Sequence, residues 1–599
     1  MVSPAFLAGA LATVACWSFV VALAAVRAVR PGTALRAGLP AGPLVGLLVL
    51  LPLGFPLGAA LAAAVPLLIL FSLACVRALD GVTSEWGRHL RARFLFGVPW
   101  GTLLTVLGVA LFYWVVQGGW AHPYRPLSLP FTSWSYLYPL GVLTAPFAHA
   151  NLGHVTGNLI GTLVYAPLAE YAWSHYPTRR GDTSFGSWRA NPFARVLAVP
   201  LVVAVVAVAT SVLAWGPIIG FSGVVFAFGA FALTRYPVAT VVAVAAQSFV
   251  STVYYALRDP IVVASASPSY GGPWWAGVAV QGHATGVFLG VLLGALLVAA
   301  RDDRPRAFRL WGAAVVYAAS VPLYIIWWYR GPATYVLYRG LGVLFVVALA
   351  LLVAAGVHAR PRPLSSRIDL GVTRRQVAAL CLLFPLLVTA VVAVPINLTT
   401  VADGPPANAD DAVHVQDYAV TYAEDVPNKR VGAVDISLLN ESTSVNASGV
   451  IVSNPDRHLW TQAVSKGSLA FSGRAAVRVG GVGWSEQIRI RRTGWTPVDA
   501  ATVYQIEMTN ATGAWNQVYA SENATAALVV DGQHVTVASV DENFSLVVSR
   551  ANRTLGRAPL PGENETTRAG DLQFRRNGTR ITASDGATRV TVATKESYA

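Results

Sequence analysis

Long apolar runs separated by short basic loops fill the first two thirds of the chain, and that pattern stops just past Pro395. A run of about 17 to 25 apolar residues can cross a bilayer as a helix. Such runs lie near 5–26, 94–116, 145–173, 196–214, 218–234, 237–257, 277–300, 310–328, 340–357 and 377–395. The stretch 41–76 is broken by Pro52, Gly54 and Pro56, which predicts two short spans joined by a tight hairpin. About twelve spans are expected in all. Beyond residue 400 the apolar runs shrink to strand length and alternate with polar residues, as in Val535-Thr536-Val537 and Arg589-Val590-Thr591-Val592. Asp531-Gly532, Asn577-Gly578 and Asp585-Gly586 signal hairpins, because the tight turn needs positive φ at both central residues. The expected architecture is an all-α polytopic membrane bundle followed by an all-β domain, a sandwich.

Charge sharpens this division. Only 12% of the 599 residues are charged and mean hydropathy is +0.54, whereas a soluble domain carries about 25% charged residues. Residues 1–402 hold 25 Arg, no Lys and 8 acids, and residues 403–599 hold 18 basic and 21 acidic residues. The net +14 therefore belongs to the membrane part. The arginines fall between apolar runs and form no basic face, which argues against nucleic acid as a partner. They fit positive loops facing the cytoplasm, with an even number of spans between successive clusters. Only Arg125, Arg258, Arg330 and Arg339 fall outside that scheme, which turns both chain ends outward. The run starting at Pro4 lacks a basic region before it and reads as a retained span.

The tail carries Asn-x-Ser/Thr sequons at Asn397, Asn440, Asn446, Asn510, Asn523, Asn543, Asn552, Asn564 and Asn577, and the membrane runs before it carry none. That clustering predicts an exported, glycosylated domain, in agreement with the arginine signal. Cys16, Cys75 and Cys381 sit in apolar runs, scattered, and suit neither a disulfide framework nor a metal site.

Polar residues inside spans are costly and commonly functional, and three clusters stand out. The first is His149-Ala-Asn-Leu-Gly-His154-Val-Thr-Gly-Asn158, continuing to Glu170. His154 and Asn158 share a helix face, and both can donate hydrogen bonds to a developing oxyanion. Interhelical hydrogen bonding is the structural alternative, and it is the preferred reading for His149, at the mouth of its span, and for Glu170, a tie near the cytoplasmic end. The second cluster is Gly220-Phe221-Ser222-Gly223, where flanking glycines leave a hydroxyl accessible. A serine becomes nucleophilic only beside a base, and in isolation this motif equally marks helix packing. The third is Gly282-His283-Ala-Thr-Gly286, followed by Gly290 and Gly294. Glycine at every fourth position permits very close approach of a neighbouring helix, with His283 about one turn above that stripe.

Taken in this order, the three clusters resemble the rhomboid family of intramembrane serine proteases. The family pattern His-x4-His-x3-Asn matches His149, His154 and Asn158, Gly-x-Ser-Gly matches Gly220 to Gly223, and His-x2-Gly-x3-Gly matches His283, Gly286 and Gly290. The acidic residue near the far end of the second core helix matches Glu170. The resemblance covers about residues 94–300. It implies a six-helix core and a Ser-His dyad without an acid. Ser222 would be the nucleophile and His283 the base, with His154, Asn158 and the Ser222 amide as oxyanion donors. Two features depart from the pattern. Phe226 stands where rhomboids commonly have the Tyr that stacks on the histidine, and the Trp-Arg pair of the first loop has only Tyr124-Arg125 as its nearest counterpart.

The expected organisation is three extra spans in 1–93, a protease core in 94–300, three more spans in 301–400, and an extracytoplasmic, glycosylated β-rich domain in 401–599. The expected function is a serine endopeptidase of the cell membrane that cuts transmembrane protein substrates near the outer face. No cofactor and no metal is called for, and the partners are membrane-protein substrates and the lipid bilayer. The alternative is a catalytically silent relative that binds client membrane proteins; such relatives usually lose the serine or the histidine. A transporter would need midplane charges or repeated halves, and neither is seen.

Overall fold

The computed structural model describes residues 85–176, 185–263, 268, 270–330, 334–364, 371–399, 412–429, 445–510, 513–540, 543–551, 553–586 and 588–599, with isolated positions between 58 and 72. The span expected at 5–26, most of the stretch 41–76, Cys16, Cys75 and the sequons at Asn440 and Asn552 lie outside the described residues. The chain divides into two compact units. One comprises Met1–Leu104, Ile160–Pro200 and Val238–Ala266, and the other Thr105–Leu159, Leu201–Pro237 and Ser267–Ala599.

A helical membrane part precedes an all-β domain. The helices are α1 (Glu85–Arg93), α2 (Trp100–Leu111, extended by a π turn over Phe112–Val116), α3 (Pro139–Thr144), α4 (Leu152–Trp173), α5 (Pro192–Val212), α6 (Ser222–Leu233), α7 (Pro237–Arg258), α8 (Val280–Arg301), α9 (Ala307–Ser320), α10 (Arg339–His358) and α11 (Arg374–Thr399). Five of them, α5, α7, α8, α10 and α11, are long and apolar enough to cross a membrane. Proline opens α3, α5 and α7, where its fixed φ suits the first turn and its missing N–H costs nothing.

Two apolar runs depart from the single helices expected of them. The run 145–173 breaks before Leu152, and α4 starts there because the Asn151 side chain accepts the His154 N–H at 2.9 Å, an N-cap bond. The run 310–328 stops as helix at Ser320. Pro322 follows, which disfavours helical backbone at Val321 and offers no donor of its own. Trp327–Tyr329 then forms β1 and pairs with β2, Tyr335–Leu337, in an antiparallel hairpin of aromatic and β-branched residues.

The β domain contains β3 (Val413–Val415), β4 (Tyr418–Pro427), β5 (Asn446–Asn454), β6 (Leu459–Ser465), β7 (Arg474–Gly481), β8 (Trp484–Pro497), β9 (Val503–Thr509), β10 (Asn516–Ala520), β11 (Ala524–Val530), β12 (Gln533–Val540), β13 (Asn543–Arg550), β14 (Arg553–Pro559), β15 (Thr566–Ala569), β16 (Leu572–Asn577), β17 (Arg580–Ser584) and β18 (Arg589–Lys595), with α12 (Lys466–Ser472) between β6 and β7. β3 to β6 make one four-stranded sheet, β11 to β14 another, and β7 to β10 join β15 to β18 in an eight-stranded sheet. The Asp531-Gly532 turn has φ of 47° and 70°, as a tight β11–β12 hairpin requires. Gly578 and Gly586, in the turns before β17 and β18, are also at positive φ, 58° and 102°.

Two large buried clusters and a smaller one around Ile451 and Trp460 hold the domain. The first unites Val420 and Val450 with Ile488 and Ile506, and the second unites Val537 and Leu546 with Phe574 and Ile581. Trp134, from the loop between α2 and α3, belongs to the first cluster, and Leu129 and Tyr138 pack against it. Burying a large aromatic side chain is worth on the order of 2–3 kcal/mol, so the loop is anchored in the β-domain core. Asn446, Asn523, Asn543, Asn564 and Asn577 are exposed. Asn397 corrects the sequon set. It is 3% exposed, and its amide donates to the Ala214 carbonyl at 2.7 Å, leaving no room there for a glycan.

Candidate active site

The site begins with a backbone turn that only glycine accommodates. Gly220 has φ of 123°, and a Cβ placed there would lie 2.5 Å from Cε1 of His154. The His154 ring therefore rests against bare backbone immediately before the serine. The Gly220 N–H donates to the Ala145 carbonyl at 2.9 Å, and Ser133 in the α2–α3 loop clamps Ile218, its Oγ accepting the Ile218 N–H at 3.1 Å. Phe221 turns the chain into α6, and Ser222 is the first helical residue. The N–H groups of a helix's first turn have no intrahelical acceptor, so those of Ser222 and Gly223 stay available at the positive end of the helix dipole.

The base arrives on α8. Gly286 presses on the Gly223 carbonyl and Gly290 on the Ala227 carbonyl, so closely that a Cβ at either would overlap backbone atoms of α6. Gly294 meets Thr234 and the Phe231 carbonyl in the same way. This backbone-to-backbone contact brings Nε2 of His283 to 3.0 Å from Oγ of Ser222. For the hydroxyl to donate, Nε2 must be the unprotonated nitrogen, with the ring proton on Nδ1. Nδ1 has no hydrogen-bond partner among the described residues, so no carboxylate stands behind the imidazole there. Phe226, one turn into α6, meets the His283 ring edge to face, with centroids 4.5 Å apart. It holds the ring by its edge but offers no hydrogen bond.

His154 and Asn158 lie one turn apart on α4, Asn158 buried and His154 partly so. The rings of His149 and His154 stand 5.0 Å apart in a T-shape. His149 is fully buried, and its peptide is gripped at both ends by Gln117. Its N–H donates to Gln117 Oε1 at 2.8 Å, and its carbonyl accepts from Gln117 Nε2 at 2.9 Å. Gln117 also donates to the Leu127 carbonyl, so one side chain ties the first loop to the turn before α4.

Ser222, His283, Phe226 and His154 thus cluster around Gly220 and the glycine stripe. Glu170 is engaged elsewhere, in the other compact unit. Its buried carboxylate accepts the Gly101 and Thr102 N–H groups at 2.8 Å each and the Thr102 hydroxyl at 2.6 Å, capping the start of α2. His175 Nε2 bonds the same carboxylate, while its Nδ1 accepts the Leu95 N–H at 3.2 Å.

Several supports of this arrangement escape a reading of the sequence. Gln117 carried a weak signal, a polar side chain closing an apolar run. Tyr317 carried none. Its hydroxyl donates to the Phe226 carbonyl at 2.8 Å and its ring fills the space beside Gly229, bracing α6 from α9. Gln281 on α8 donates to the Leu213 carbonyl at 2.8 Å and accepts the Trp215 N–H, locking the start of α8 to the end of α5. The chain matches no protein-family model, no curated protein and no solved structure.

Proposed function

We propose that the chain is an intramembrane serine endopeptidase of the rhomboid type, cutting membrane-anchored proteins near the outer face of the bilayer. The observation that carries this reading is the 3.0 Å pairing of Ser222 Oγ with His283 Nε2 at the amino end of an apolar helix. Ser222 attacks the scissile carbonyl as His283 takes its proton, and the Ser222 N–H, His154 and Asn158 serve as donors to the tetrahedral oxyanion. His283 then protonates the leaving amine and next activates the water that releases the acyl group. A dyad without a carboxylate leaves the imidazole tautomer to be set by the Ser222 hydroxyl, with Phe226 fixing only the orientation of the ring. The six core helices are α2, α4, α5, α6, α7 and α8, and the remaining spans are additions to that unit. The β domain, read as paired sandwich layers, lies outside the cell and carries glycans at its exposed sequons. Arginine placement and sequon clustering support that side.

The test is labelling of the detergent-purified protein with a fluorophosphonate probe, together with cleavage of a model membrane substrate. Covalent labelling at Ser222 that is lost in His283→Ala is expected. Cleavage at the wild-type rate by Ser222→Ala would end the serine-nucleophile reading, and neither labelling nor cleavage by the folded, unsubstituted protein would favour the client-binding alternative.

A further inference from the structure

A cavity of about 1360 Å³ is bounded by three parts of one compact unit. The first loop contributes Tyr124 and Arg125, the stretch before α8 contributes Tyr270 to Pro273, and the β domain supplies the rest of the wall. Ala150, directly after His149 and four residues before His154, also lines it. The cavity therefore reaches the segment that carries the oxyanion candidates. Its walls are held together. Trp134 is buried in the β-domain core, and the Tyr270 ring stacks on Phe471 of α12 with centroids 6.1 Å apart.

Charge on these walls is one-sided. Arg125, Lys466, Arg474 and Arg478 line the cavity against a single acid, Asp425. Lys466 is already neutralised by Glu424 at 2.7 Å. Among the described residues none of the three arginines is paired with a carboxylate. Arg478 donates only to neutral oxygens, Ser485 Oγ at 3.1 Å and Gln487 Oε1 at 3.2 Å, and its buried Nε has no partner. Burial, and then the Arg125 guanidinium facing it, pull the Arg478 pKa below its ordinary value. Two guanidinium groups facing each other with no carboxylate of the chain between them repel, and an anion between them relieves that.

Backbone geometry names the shape of the anion. Among the described residues β6 ends its four-stranded sheet, and β7 pairs on one side only, with β8. Both strands line the cavity, β6 through Thr461 to Ser465 and β7 through Arg474 to Arg478. Near its end, the β7 edge is occupied where the Gly480 carbonyl accepts from Tyr418 Oη and Arg457. The Arg474 carbonyl accepts from Ser472 Oγ at 2.9 Å, and over Ala475–Val477 that edge remains open among the described residues. An open strand edge binds another extended chain through main-chain hydrogen bonds, and side-chain pockets add selectivity.

We propose that this cavity is the docking site for an extended, acidic peptide segment, the extramembrane stretch of the substrate adjoining the scissile span. The segment adds to the β7 edge and its carboxylates meet Arg125, Arg474 and Arg478. The substrate part of this inference rests on the protease reading, and the docking part does not.

The test uses purified full-length Ser222→Ala protein, which would hold the peptide without cutting it. A fluorescent Asp/Glu-rich peptide with alternating Thr or Val residues is titrated by anisotropy, beside a Lys-for-acid analogue. The acidic peptide should bind, more weakly at high salt, and the basic analogue should not. Arg474→Glu/Arg478→Glu should weaken binding by about tenfold or more. Arg125→Glu, on the opposite wall and outside the β domain, should also weaken it, which guards against a folding defect in the double variant. Equal binding of both peptides, or binding unchanged by every charge reversal, would overturn the proposal. Fluorophosphonate labelling of the unsubstituted protein separates the two ideas. Labelling without peptide binding sinks the docking site and leaves the protease, whereas charge-dependent binding without labelling sinks the protease and leaves an acidic-peptide receptor.

Discussion

The helix pair at the candidate site and the β domain beyond it are built by opposite means. α6 and α8 meet because side chains have been removed, with Gly286 and Gly290 letting two backbones touch. In lipid the apolar side chains gain nothing by leaving one apolar surface for another, so close van der Waals contact is what remains to hold helices together. The β domain is held by side chains that are present, Ile488, Ile506 and Met508 in one cluster and Leu546, Phe574 and Ile581 in the other. There water supplies the driving force, at about 25 cal/mol for each Å² of apolar surface buried. The lesson is that the same small change acts in opposite directions. Adding atoms breaks the first region, and deleting atoms breaks the second.

The largest expected effect is at Gly286. Gly286→Leu drives a side chain into the Gly223 carbonyl, separates α6 from α8 and parts His283 from Ser222. Cleavage and Ser222 labelling should vanish, and thermal stability in detergent should fall by about 3 kcal/mol or more. Wild-type melting with retained labelling would mean that the glycine contact does not hold the pair. Gly220→Ala comes next. The methyl group meets the His154 ring at a φ of 123°, so activity should drop severely, with a fall in melting smaller than that of Gly286→Leu because the α6–α8 contact is kept. A fall in melting as large as that of Gly286→Leu would assign Gly220 to packing.

Asn158→Ala removes one oxyanion donor from the proposed constellation and should slow cleavage by about 10²–10³-fold, with labelling slowed but present. A rate unchanged by that substitution would take Asn158 out of the chemistry. In the β domain, Ile506→Ala deletes buried atoms and should cost about 2–5 kcal/mol of that domain's stability. Because Ile506 is remote in mechanism from the dyad, labelling at Ser222 should persist below the domain's melting point. Loss of labelling at those temperatures would show that the two regions are energetically one.

The smallest effect is one of pH. Burial, and then the Glu424 carboxylate, push the Tyr519 hydroxyl up to about 12. A phenol whose folded pKa is raised adds stability that is fully present below its unfolded value of about 10 and is lost as pH rises through 12. Alkaline titration of the β domain followed by tyrosinate absorbance should show this loss beginning near pH 10, and Glu424→Gln should bring its upper end down from 12 towards 10.

What could be read from the chain follows from how local each signal is. The glycine stripe and the Asp-Gly and Asn-Gly hairpins are carried by residues within one or two turns of each other, so spacing alone exposes them, whereas the pairing of Ser222 with His283, 61 positions apart, is expected only from the resemblance of the three clusters taken together. The run 310–328 misled because apolar content does not distinguish a helix from an aromatic hairpin, and Pro322 decided the matter. Asn397 misled because a sequon records three residues and not the Ala214 carbonyl, 183 positions away, that holds its amide. Gln117, Tyr317 and the anchoring of Trp134 in the β domain all join positions far apart in sequence, and no periodicity encodes such pairings. The aromatic, proline-rich loop 117–138 was visible as unusual, but its partner lies about three hundred residues later.

The central claim is that Ser222 and His283 act as one catalytic unit held by glycine packing. It is tested most directly by fluorophosphonate labelling of the purified, folded protein beside its Ser222→Ala, His283→Ala and double variants. The account predicts covalent label on Ser222 in the unsubstituted chain alone, and none in any of the three variants, since neither partner works without the other. Labelling that survives His283→Ala at the original rate, with the protein still folded, would contradict it.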